Sequence, residues 1–421
     1  MRSLKTFALA TAVIGLTAGA AQAQVLFWSN QAVPVEETQK MREQVLKSFP
    51  GGADFQPQEP GPFVTRIEAE RDAGKGTIGV VGGLYGDIAT YKDNWVDLSD
   101  IDLSGVAPAP AFVELGKLGT GEQKFLPWMQ ANYVMAANKQ ALAYLPEGAD
   151  INNLTYDQVI AWAKNLAEQT GSPKFGFPAG PKGLKHRFFQ GFLLPAFTGS
   201  EVTKFRSAEA ETAWGKFKEL WQYANPASTN YDFMQEPLLT GDVWLAFDHI
   251  ARLADAFNQK PDEFVAFPAP SGPKGRAFMP VLAALAVPKS APDIASAKEL
   301  VKFMMQPEQQ VATLLATNFF PVTDARLPAD LPNSARALGP AITAMTSSPD
   351  ALPALLPVGL GDKGGQFNQV YIDAFERIVL GNQDIRQVLD QQAEALRGVL
   401  TAANAPCWLP DPPSEGPCPV E

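Results

Sequence analysis

The sequence predicts an α/β protein, and three observations point to this class. From Gln24 onward, short apolar runs typical of β-strands alternate with segments of helical periodicity, the pattern of largely parallel sheets flanked by helices. The 421 residues are 46% hydrophobic, enough to bury a large core and to form two or three domains. Residues 281–287 form a nearly pure apolar run, as expected of a parallel strand that is buried on both faces.

Each predicted element follows from its local pattern. One helix has clear boundaries, because Thr155 and Gln158 have the spacing of a capping box and Gly171 suits a helix end. The predicted strands are residues 25–28, 77–81, 123–129, 133–137, 243–247, 264–267 and 281–287. The predicted helices are residues 36–49, 63–73, 155–169, 208–223, 294–305, 307–315, 333–345, 366–380 and 385–402, with another starting near His249.

The composition argues against several function classes. With 34 Lys plus Arg against 45 Asp plus Glu, the net charge of -11 disfavours a nucleic-acid backbone or an anionic membrane surface as a partner. Two histidines, His186 and His249, and two cysteines, Cys407 and Cys418, are too few for a zinc framework. The sequence also lacks the G-x-S-x-G, H-E-x-x-H, EF-hand and P-loop motifs. We therefore expect neither a metal nor a cofactor.

The N-terminal segment predicts export. Arg2 and Lys5 precede a short apolar stretch, and Ala21-Gln22-Ala23 has the small residues of a signal-peptidase site. We expect residues 1–23 to be a signal peptide cleaved before Gln24; an anchor helix is the less favoured interpretation, because the apolar stretch is short. No cysteine follows the cleavage site, so no lipid anchor is expected. Loss of the two cations leaves a mature charge of 32 minus 45, or -13.

Export also gives the two cysteines a meaning. Cys407 and Cys418 lie in a Pro-rich tail, residues 403–421, and an oxidising compartment would let them close a small loop. We expect a structural disulfide that clips the tail. A catalytic dithiol is a poorer interpretation, because the two cysteines are too far apart in the chain.

Aromatic and amide side chains recur where the predicted strands end. In open α/β sheets the carboxyl ends of strands face the ligand crevice, so these side chains are candidates for one site. Flat aromatic faces beside fixed amides suit a polyhydroxylated ligand, whose ring has apolar C–H faces and whose hydroxyls need directional partners. The candidates are Trp28, Asn30, Gln31, Tyr85, Asp87, Trp128, Gln130, Asn132, Asp248, His249 and Arg252.

Several candidates have an equally simple structural interpretation. Trp28 and Trp128 fit an ordinary core, and Asp87 could cap the helix that follows it. Gln130 and Asn132 alternate along a strand and share a face, so they need hydrogen-bond partners there, which a sugar could supply.

The segment from Asp248 to Arg252 leaves two alternatives open. Arg252 could hold an acidic group of a ligand, or it could pair with Asp248 across one helical turn. We favour the pair, so a neutral ligand is the first expectation. His249 fits an interior histidine as well as it fits a ligand contact.

Four segments of the chain carry a family resemblance. They are Val25-Leu26-Phe27-Trp28 behind the signal peptide, residues 128–139 with their Asn138-Lys139 turn, Gly241-Asp242-Val243-Trp244-Leu245, and residues 278–288 with the helix that follows. In this order they resemble a bacterial extracellular solute-binding protein, and within that group the sugar-binding components of ABC transporters of the maltose-binding type, family 1. The resemblance spans nearly the whole mature chain.

This resemblance implies a two-lobed periplasmic binding protein fold. Each lobe would be a mostly parallel sheet flanked by helices, with the ligand in a cleft that closes about a hinge. The implied boundaries are residues 24–131 and 265–320 for lobe 1, and residues 132–264 and 321–402 for lobe 2. The implied crossings between the lobes lie near residues 130–133, 263–265 and 320–322. Phe278 and Phe320 lie near these crossings and join the site candidates.

The resemblance also implies a function and a departure from the family pattern. The expected activity is capture of a carbohydrate in the periplasm by a monomer, which performs no chemistry and delivers its ligand to ABC permease subunits with a cytoplasmic ATPase. Where the family commonly has Asn-Gly or a small residue, this chain has Asp248-His249-Ile250-Ala251-Arg252. The alternative is an exported glycoside hydrolase or lyase that uses paired carboxylates such as Asp87 and Asp248. A binder of polyamines or metal is a weaker alternative.

Overall fold

The computed structural model describes residues 24–421, except Val33, Ala107, Ala109 and Asp324. The predicted signal peptide, residues 1–23, lies outside the described residues. Within this described part of the chain, no helix has both the length and the apolar character that crossing a membrane requires.

Two large sheets organise the described chain. The strands in chain order are β1 (Val25–Ser29), β2 (Ala53–Pro57), β3 (Ile78–Leu84), β4 (Leu126–Ala131), β5 (Tyr133–Asn138), β6 (Phe175–Gly176), β7 (Leu245–His249), β8 (Phe264–Phe267), β9 (Arg276–Phe278), β10 (Val281–Ala286) and β11 (Ala351–Pro353). The first sheet has the order β2-β1-β3-β10-β4, and the second has the order β6-β7-β5-β8. β9 and β11 pair with each other. Each large sheet forms the centre of one lobe.

Both large sheets are mixed, which corrects the prediction that they are mostly parallel. β1 is parallel to β2 and β3, but β10 is antiparallel to both of its neighbours, β3 and β4. In the second sheet β6 is parallel to β7, whereas β5 is antiparallel to β7 and β8. Every residue of the apolar strand β10 is buried. An apolar composition therefore indicates that both faces of the strand are buried. It does not show whether a central strand is parallel or antiparallel to its neighbours.

A single residue, Asn132, connects β4 of the first sheet to β5 of the second sheet. β4 ends at Ala131 and β5 begins at Tyr133, so the chain passes directly from one sheet to the other. Asn132 is buried, its Oδ1 accepts a hydrogen bond from the backbone N of Tyr133 at 2.9 Å, and its backbone O accepts one from Ile250 N at 3.1 Å. This junction lies within the first predicted crossing, residues 130–133.

The return to the first sheet comes later than predicted. The sequence places it at residue 265, but β8 pairs with β5 in the second sheet. β9 then pairs with β11, and only β10 joins the first sheet. The boundary at residue 265 is therefore too early, because the composition of a strand does not show which sheet it enters. The other lobe boundaries stay a prediction.

Helices pack around these sheets. They are α1 (Val35–Lys40), α2 (Pro60–Asp72), α3 (Tyr85–Thr90), α4 (Pro110–Leu115), α5 (Tyr156–Thr170), α6 (Lys185–Phe188), α7 (Leu194–Thr198), α8 (Ala208–Trp221), α9 (Gln235–Thr240), α10 (Ala254–Gln259), α11 (Ile294–Met304), α12 (Pro307–Thr317), α13 (Asn333–Thr346), α14 (Gly364–Phe375) and α15 (Ile385–Ala403). The predicted capping box of α5 is confirmed: Gln158 N donates to Thr155 Oγ1 at 3.3 Å, and Thr155 N donates to Gln158 Oε1 at 2.9 Å. Gly171 ends this helix in the left-handed region, with φ 75°.

Aromatic rings fill the core of the first sheet. Phe27 in β1 and Trp128 in β4 have no exposed surface, and their ring centroids are 5.2 Å apart. A Cβ at Gly82 in β3 would lie 2.5 Å from the Phe27 ring and 2.9 Å from the Trp128 ring. The glycine therefore gives the two rings room to meet over the strand.

The C-terminal tail is fixed to the rest of the chain. The predicted disulfide between Cys407 and Cys418 is present and joins residues 11 positions apart. Asp411, inside the loop that it closes, is buried and accepts hydrogen bonds from three consecutive backbone N–H groups, those of residues 201–203, at 2.8 to 3.0 Å. The predicted clip is thus anchored through a buried carboxylate.

Candidate ligand-binding cleft

A cleft of about 470 Å³ lies between the two sheets, beside their junction. The first lobe contributes Asn30, Gln31, Glu37, Leu84 and Val281 to its walls. The second lobe contributes Tyr133, Leu184, Arg187, Phe233, Gln235, His249, Ala251 and Arg252, and Phe319 and Leu356 also face it. Because both lobes supply wall residues, a relative motion of the lobes would change the shape of the cleft.

Two amides on the first wall are held in place by hydrogen bonds. Asn30 Nδ2 donates to Asp87 Oδ2 at 2.7 Å, and Gln31 Nε2 donates to Asn30 Oδ1 at 2.9 Å. The turn itself is fixed, since Asn30 N donates to Gly82 O at 3.1 Å and Gln31 N donates to Ser29 Oγ at 2.9 Å. Asp87 faces a smaller adjoining cavity of about 80 Å³ and does not cap α3, whose N-cap position is Leu84.

Two carboxyl groups of the first lobe have a raised pKa. Burial raises the pKa of Glu37, in α1, to about 7, against the opposing charge of Lys40. Burial also raises the pKa of Asp87, while the hydrogen bond from Asn30 and the charge of Arg187 act in the opposite direction. Both groups therefore hold a proton more readily than exposed carboxyl groups do.

Tyr133 and His249 form an aromatic pair on the second wall. They lie opposite each other in the β5–β7 register, and their ring centroids are 5.0 Å apart in an edge contact. His249 Nδ1 accepts a hydrogen bond from Ala251 N at 3.3 Å, so the proton of the neutral ring is on Nε2, which can donate. Burial, reinforced by the charge of Arg252, lowers the pKa of His249 to about 3. The ring is therefore neutral at physiological pH.

Asp248 does not pair with Arg252, which corrects the favoured interpretation. β7 ends at His249, two residues beyond the predicted strand, so Asp248 is a strand residue and not a helix start. Asp248 is fully buried and accepts hydrogen bonds from Met234 N at 2.9 Å and His249 N at 2.7 Å. Burial raises its pKa to about 7. The carboxyl is engaged by backbone and does not line the cleft.

Arg252 is fixed by other contacts. Its Nη1 donates to the backbone O of Lys182 at 3.3 Å and of Asp232 at 3.1 Å. Its guanidinium carbon lies 4.5 Å from the ring centroid of Phe233. These contacts hold the cation on the cleft wall, and its Nε and Nη2 donate to no residue that the structure describes.

Arg187 is a second cation in the cleft, and sequence reasoning missed it. It lies in α6 and lines both the large cleft and the smaller cavity. Its Nη1 donates to Gln190 Oε1 at 3.2 Å, and it forms no salt bridge with a carboxylate of the described chain. The only signal was the basic run Lys185-His186-Arg187, which follows no predicted strand. Other cleft residues that were missed are Glu37, Phe233, Gln235 and Phe319.

The two tryptophan candidates lie in the core. Trp128 has no exposed surface. Trp28 is buried, its Nε1 donates to Phe63 O at 3.2 Å, and the guanidinium of Arg66 lies 4.4 Å from its ring centroid. Neither ring lines the cleft, so the expected stacking of a ligand on these rings is wrong.

The other candidates also lie away from the cleft. Gln130 and Phe320 line a separate cavity of about 440 Å³ at the junction, where Gln130 Nε2 donates to Pro321 O at 2.8 Å. Tyr85, Asn132, Asp248 and Phe278 are buried and do not line the cleft. The structure thus brings together Asn30, Gln31, His249 and Arg252, with Asp87 beside Asn30.

The carboxylate pair of the hydrolase alternative does not converge. Asp87 faces the smaller cavity and Asp248 is enclosed by backbone donors. A glycosidase needs two carboxyl groups on opposite sides of one sugar site. These two residues do not supply that arrangement.

A protein-family model matches more than half of the chain. The model of the family described as bacterial extracellular solute-binding protein matches residues 54–311, a span that holds strands of both large sheets. No curated protein sequence gives a significant match.

Solved structures match over most of the chain. Maltose-bound MalE3 of T. maritima is 16% identical, with 90% of this chain and 100% of that chain covered and a TM-score of 0.70. The sugar-binding protein MalE of Xanthomonas citri is 16% identical, with 90% and 97% covered and a TM-score of 0.70. An ABC transporter solute-binding protein of Thermotoga lettingae, bound with α-D-tagatose, is 15% identical, with 89% and 99% covered and a TM-score of 0.65. At these identities the likeness establishes the two-lobed fold.

Proposed function

The chain belongs to the bacterial extracellular solute-binding protein family, and from this premise we propose that it is the substrate-binding component of an ABC importer that captures a carbohydrate. The solved proteins of the same fold include receptors bound with maltose and with tagatose. Because these proteins are at most 16% identical to the chain, the support for a carbohydrate ligand comes from the side chains that line its own cleft.

The observation that carries the proposal is the chemistry of the two cleft walls. One wall offers the fixed amides of Asn30 and Gln31, and the other offers the exposed ring of Phe233 and the Nε2–H of His249. Amides and imidazole can hydrogen-bond sugar hydroxyls, while an aromatic face packs on the C–H face of a sugar ring. A cleft of about 470 Å³ is within the usual range for a small-molecule site.

Capture would proceed by closure of the two lobes. We propose that the hinge comprises Asn132, the segment between β9 and β10, and residues 320–322, and that lobe 1 is residues 24–131 and 281–320. Contacts from both walls exist together only in the closed state, so the ligand shifts the equilibrium between open and closed forms toward closure. The affinity difference between the two states sets how far that equilibrium moves.

The setting follows from the same proposal. After loss of residues 1–23 the chain would act in the periplasm as a monomer, without a cofactor and without chemistry on its ligand. Its partners would be the permease subunits of the importer and, through them, the cytoplasmic ATPase. Recognition of the permease would use surfaces of both lobes, so that only the closed form delivers.

The test is the thermal unfolding of the mature chain, residues 24–421, against a panel of sugars. A ligand at 100 times its Kd adds roughly 2.7 kcal/mol to the free energy of unfolding, which raises the Tm measurably. At least one sugar should raise the Tm, and mass spectrometry of material released from the purified protein should show a carbohydrate. No stabilisation by any sugar would count against the proposal.

Incubating the protein with the sugar that stabilises it distinguishes the receptor function from the hydrolase alternative. Chromatography should recover the sugar unchanged after hours at a concentration above its Kd. Formation of a cleavage product, abolished in an Asp87→Asn variant, would replace the receptor function with an enzymatic one.

A further inference from the structure

We infer that the carbohydrate carries an acidic group, a carboxylate or a phosphate, and that Arg187 and Arg252 bind it. This inference rests on the proposed function, because it narrows the ligand class of the same cleft. It replaces the neutral sugar that the sequence favours.

Both guanidinium groups have free donors in the cleft. Arg252 uses only Nη1, on two backbone oxygens, and Arg187 uses only Nη1, on Gln190. A guanidinium has five N–H donors in a fixed fork that matches a carboxylate or a phosphate. The remaining donors of both side chains meet no acceptor among the described residues, and both side chains are half-buried on the cleft wall.

Three other half-buried arginines, Arg66, Arg206 and Arg397, have acidic partners, whereas Arg377 donates to the side chains of Gln383 and Gln391. Arg66 pairs with Glu70 at 3.1 Å, and Arg206 pairs with Asp390 at 3.2 Å. The cleft arginines form no such pair within the described chain, although the mature sequence has 13 more acidic than basic residues. An unpaired, partly desolvated cation is costly, and two on one wall indicate a site for an anion that the protein itself does not supply.

No carboxylate of the described chain forms a salt bridge with either arginine, although the charge of Arg187 acts on Asp87 and the charge of Arg252 acts on Asp248. Asp87 accepts a hydrogen bond from Asn30 and faces the smaller cavity, which Arg187 also lines. Asp248 accepts two backbone hydrogen bonds and does not line the cleft. Glu37 faces the cleft, but its burial raises its pKa to about 7, so a large fraction of it is uncharged near neutrality. The cleft therefore holds two permanent positive charges against one weakened acid.

The two cations also act on the same point. Burial raises the pKa of Tyr133 to about 12, and the charges of Arg187 and Arg252 both oppose that rise. Both guanidinium groups are thus within electrostatic reach of Tyr133, and all three side chains line the same cleft. An acidic group bound in this cleft could receive hydrogen bonds from both arginines, while Asn30, Gln31 and His249 address the sugar hydroxyls.

Calorimetric titration of the mature chain with matched pairs of sugars tests the inference. The pairs are galacturonate with galactose, glucuronate with glucose, and glucose 6-phosphate with glucose. In at least one pair the acidic sugar should bind at least about tenfold tighter than its neutral partner, which equals 1.4 kcal/mol. The carboxylate and phosphate arms identify which anion the site takes. Affinity for the acidic sugar should fall as NaCl is raised, and affinity for a neutral sugar should not.

Arginine variants locate the anion site. Arg187→Gln and Arg252→Gln should each lower the affinity for the acidic sugar by about tenfold or more. The affinity for the neutral partner should stay within about threefold of that of the parent protein. Arg71→Gln, which removes an exposed guanidinium paired with Asp72 outside the cleft, is the matched control and should change neither affinity. Arg252→Lys keeps the charge and should retain part of the affinity even if the Gln variant folds poorly.

Two outcomes would overturn the inference in distinguishable ways. If neutral sugars bind as tightly as the acidic ones and the arginine variants lower both affinities equally, the ligand is neutral and the receptor function stands. If no sugar of the panel binds, this inference and the proposed function fail together.

Discussion

His249 stays neutral in the cleft because its surroundings disfavour a charged ring. Tyr133 and Phe319 pack against it, and burial lowers its pKa from the ordinary value of 6.5 to about 3. Between these two values the unfolded chain binds more protons than the folded chain, so the free energy of unfolding rises with pH. The contribution of His249 to stability is therefore complete above pH 6.5 and is lost as the pH falls toward 3.

The variant His249→Asn tests this dependence. Asparagine can still accept the hydrogen bond from Ala251 N, but it does not titrate. The Tm of the variant should fall less steeply than that of the parent protein between pH 7 and pH 4, as measured by circular dichroism without ligand. Parallel Tm profiles for the two proteins would show that His249 is not a buried neutral ring.

Trp128 should matter for stability and not for direct ligand contact. Its ring fills the space above Gly82 against Phe27. Trp128→Ala should lower the free energy of unfolding by about 3 to 5 kcal/mol, because the cavity cannot close fully, and Trp128→Phe should cost less. Urea unfolding measures both. A Trp128→Phe variant with parental stability but lost sugar affinity would place the ring at the ligand after all.

The position of a residue near a strand end predicted part of the site, but it did not predict which face of a strand points to the cleft and which is buried in the core. Asn30, Gln31 and His249 were found because they lie at or just after strand ends, which face the cleft. The same pattern chose Trp128, since alternation defines two faces of a strand and only tertiary packing decides which one is buried. Arg187 lies in a helix, and its place in the cleft depends on contacts that no local pattern encodes.

At the scale of elements, the tail depends on one buried carboxylate. Asp411 accepts three backbone hydrogen bonds from residues 201–203, and the Nε1 of Trp408 donates to Glu201 Oε2 at 2.8 Å. The disulfide holds both Asp411 and Trp408 in one loop. The tail and the turn that it covers should therefore unfold together.

Asp411→Ala should lower the free energy of unfolding by about 3 kcal/mol, because three backbone N–H groups, two of them buried, lose their acceptor. The matched control is Asp362→Ala, which removes an exposed carboxylate paired with Lys363 and should cost no more than about 0.5 kcal/mol. Guanidinium unfolding gives both values. Equal losses for the two variants would mean that the Asp411 contacts do not anchor the tail.

Elements with their own boundary signals were predictable from sequence, and elements defined by partners were not. The capping box and Gly171 mark α5 locally. The start of β7 was placed two residues early because Val243 and Trp244 are apolar. Their N–H groups donate to Pro237 O and Lys174 O, outside β5, and only the backbone O of Trp244 bonds to that strand. The direction of β10 likewise depends on its neighbours and not on its composition.

At the scale of the whole molecule, two mixed sheets share a cleft and exchange chain segments. The family resemblance predicted the two lobes, but β8 was given to the wrong one, because an apolar strand fits either sheet until its pairing with β5 is seen. The junction at Asn132 separates the sheets by one residue, so rotation about it would move Tyr133 relative to Asn30 across the cleft.

Small-angle X-ray scattering of the mature chain, with and without a sugar that calorimetry shows to saturate it, measures whether the two lobes close on the ligand. The saturated protein should have a smaller radius of gyration, because the ligand joins the two walls and favours the closed form. An identical scattering curve for the free and the saturated protein would contradict capture by closure between the lobes.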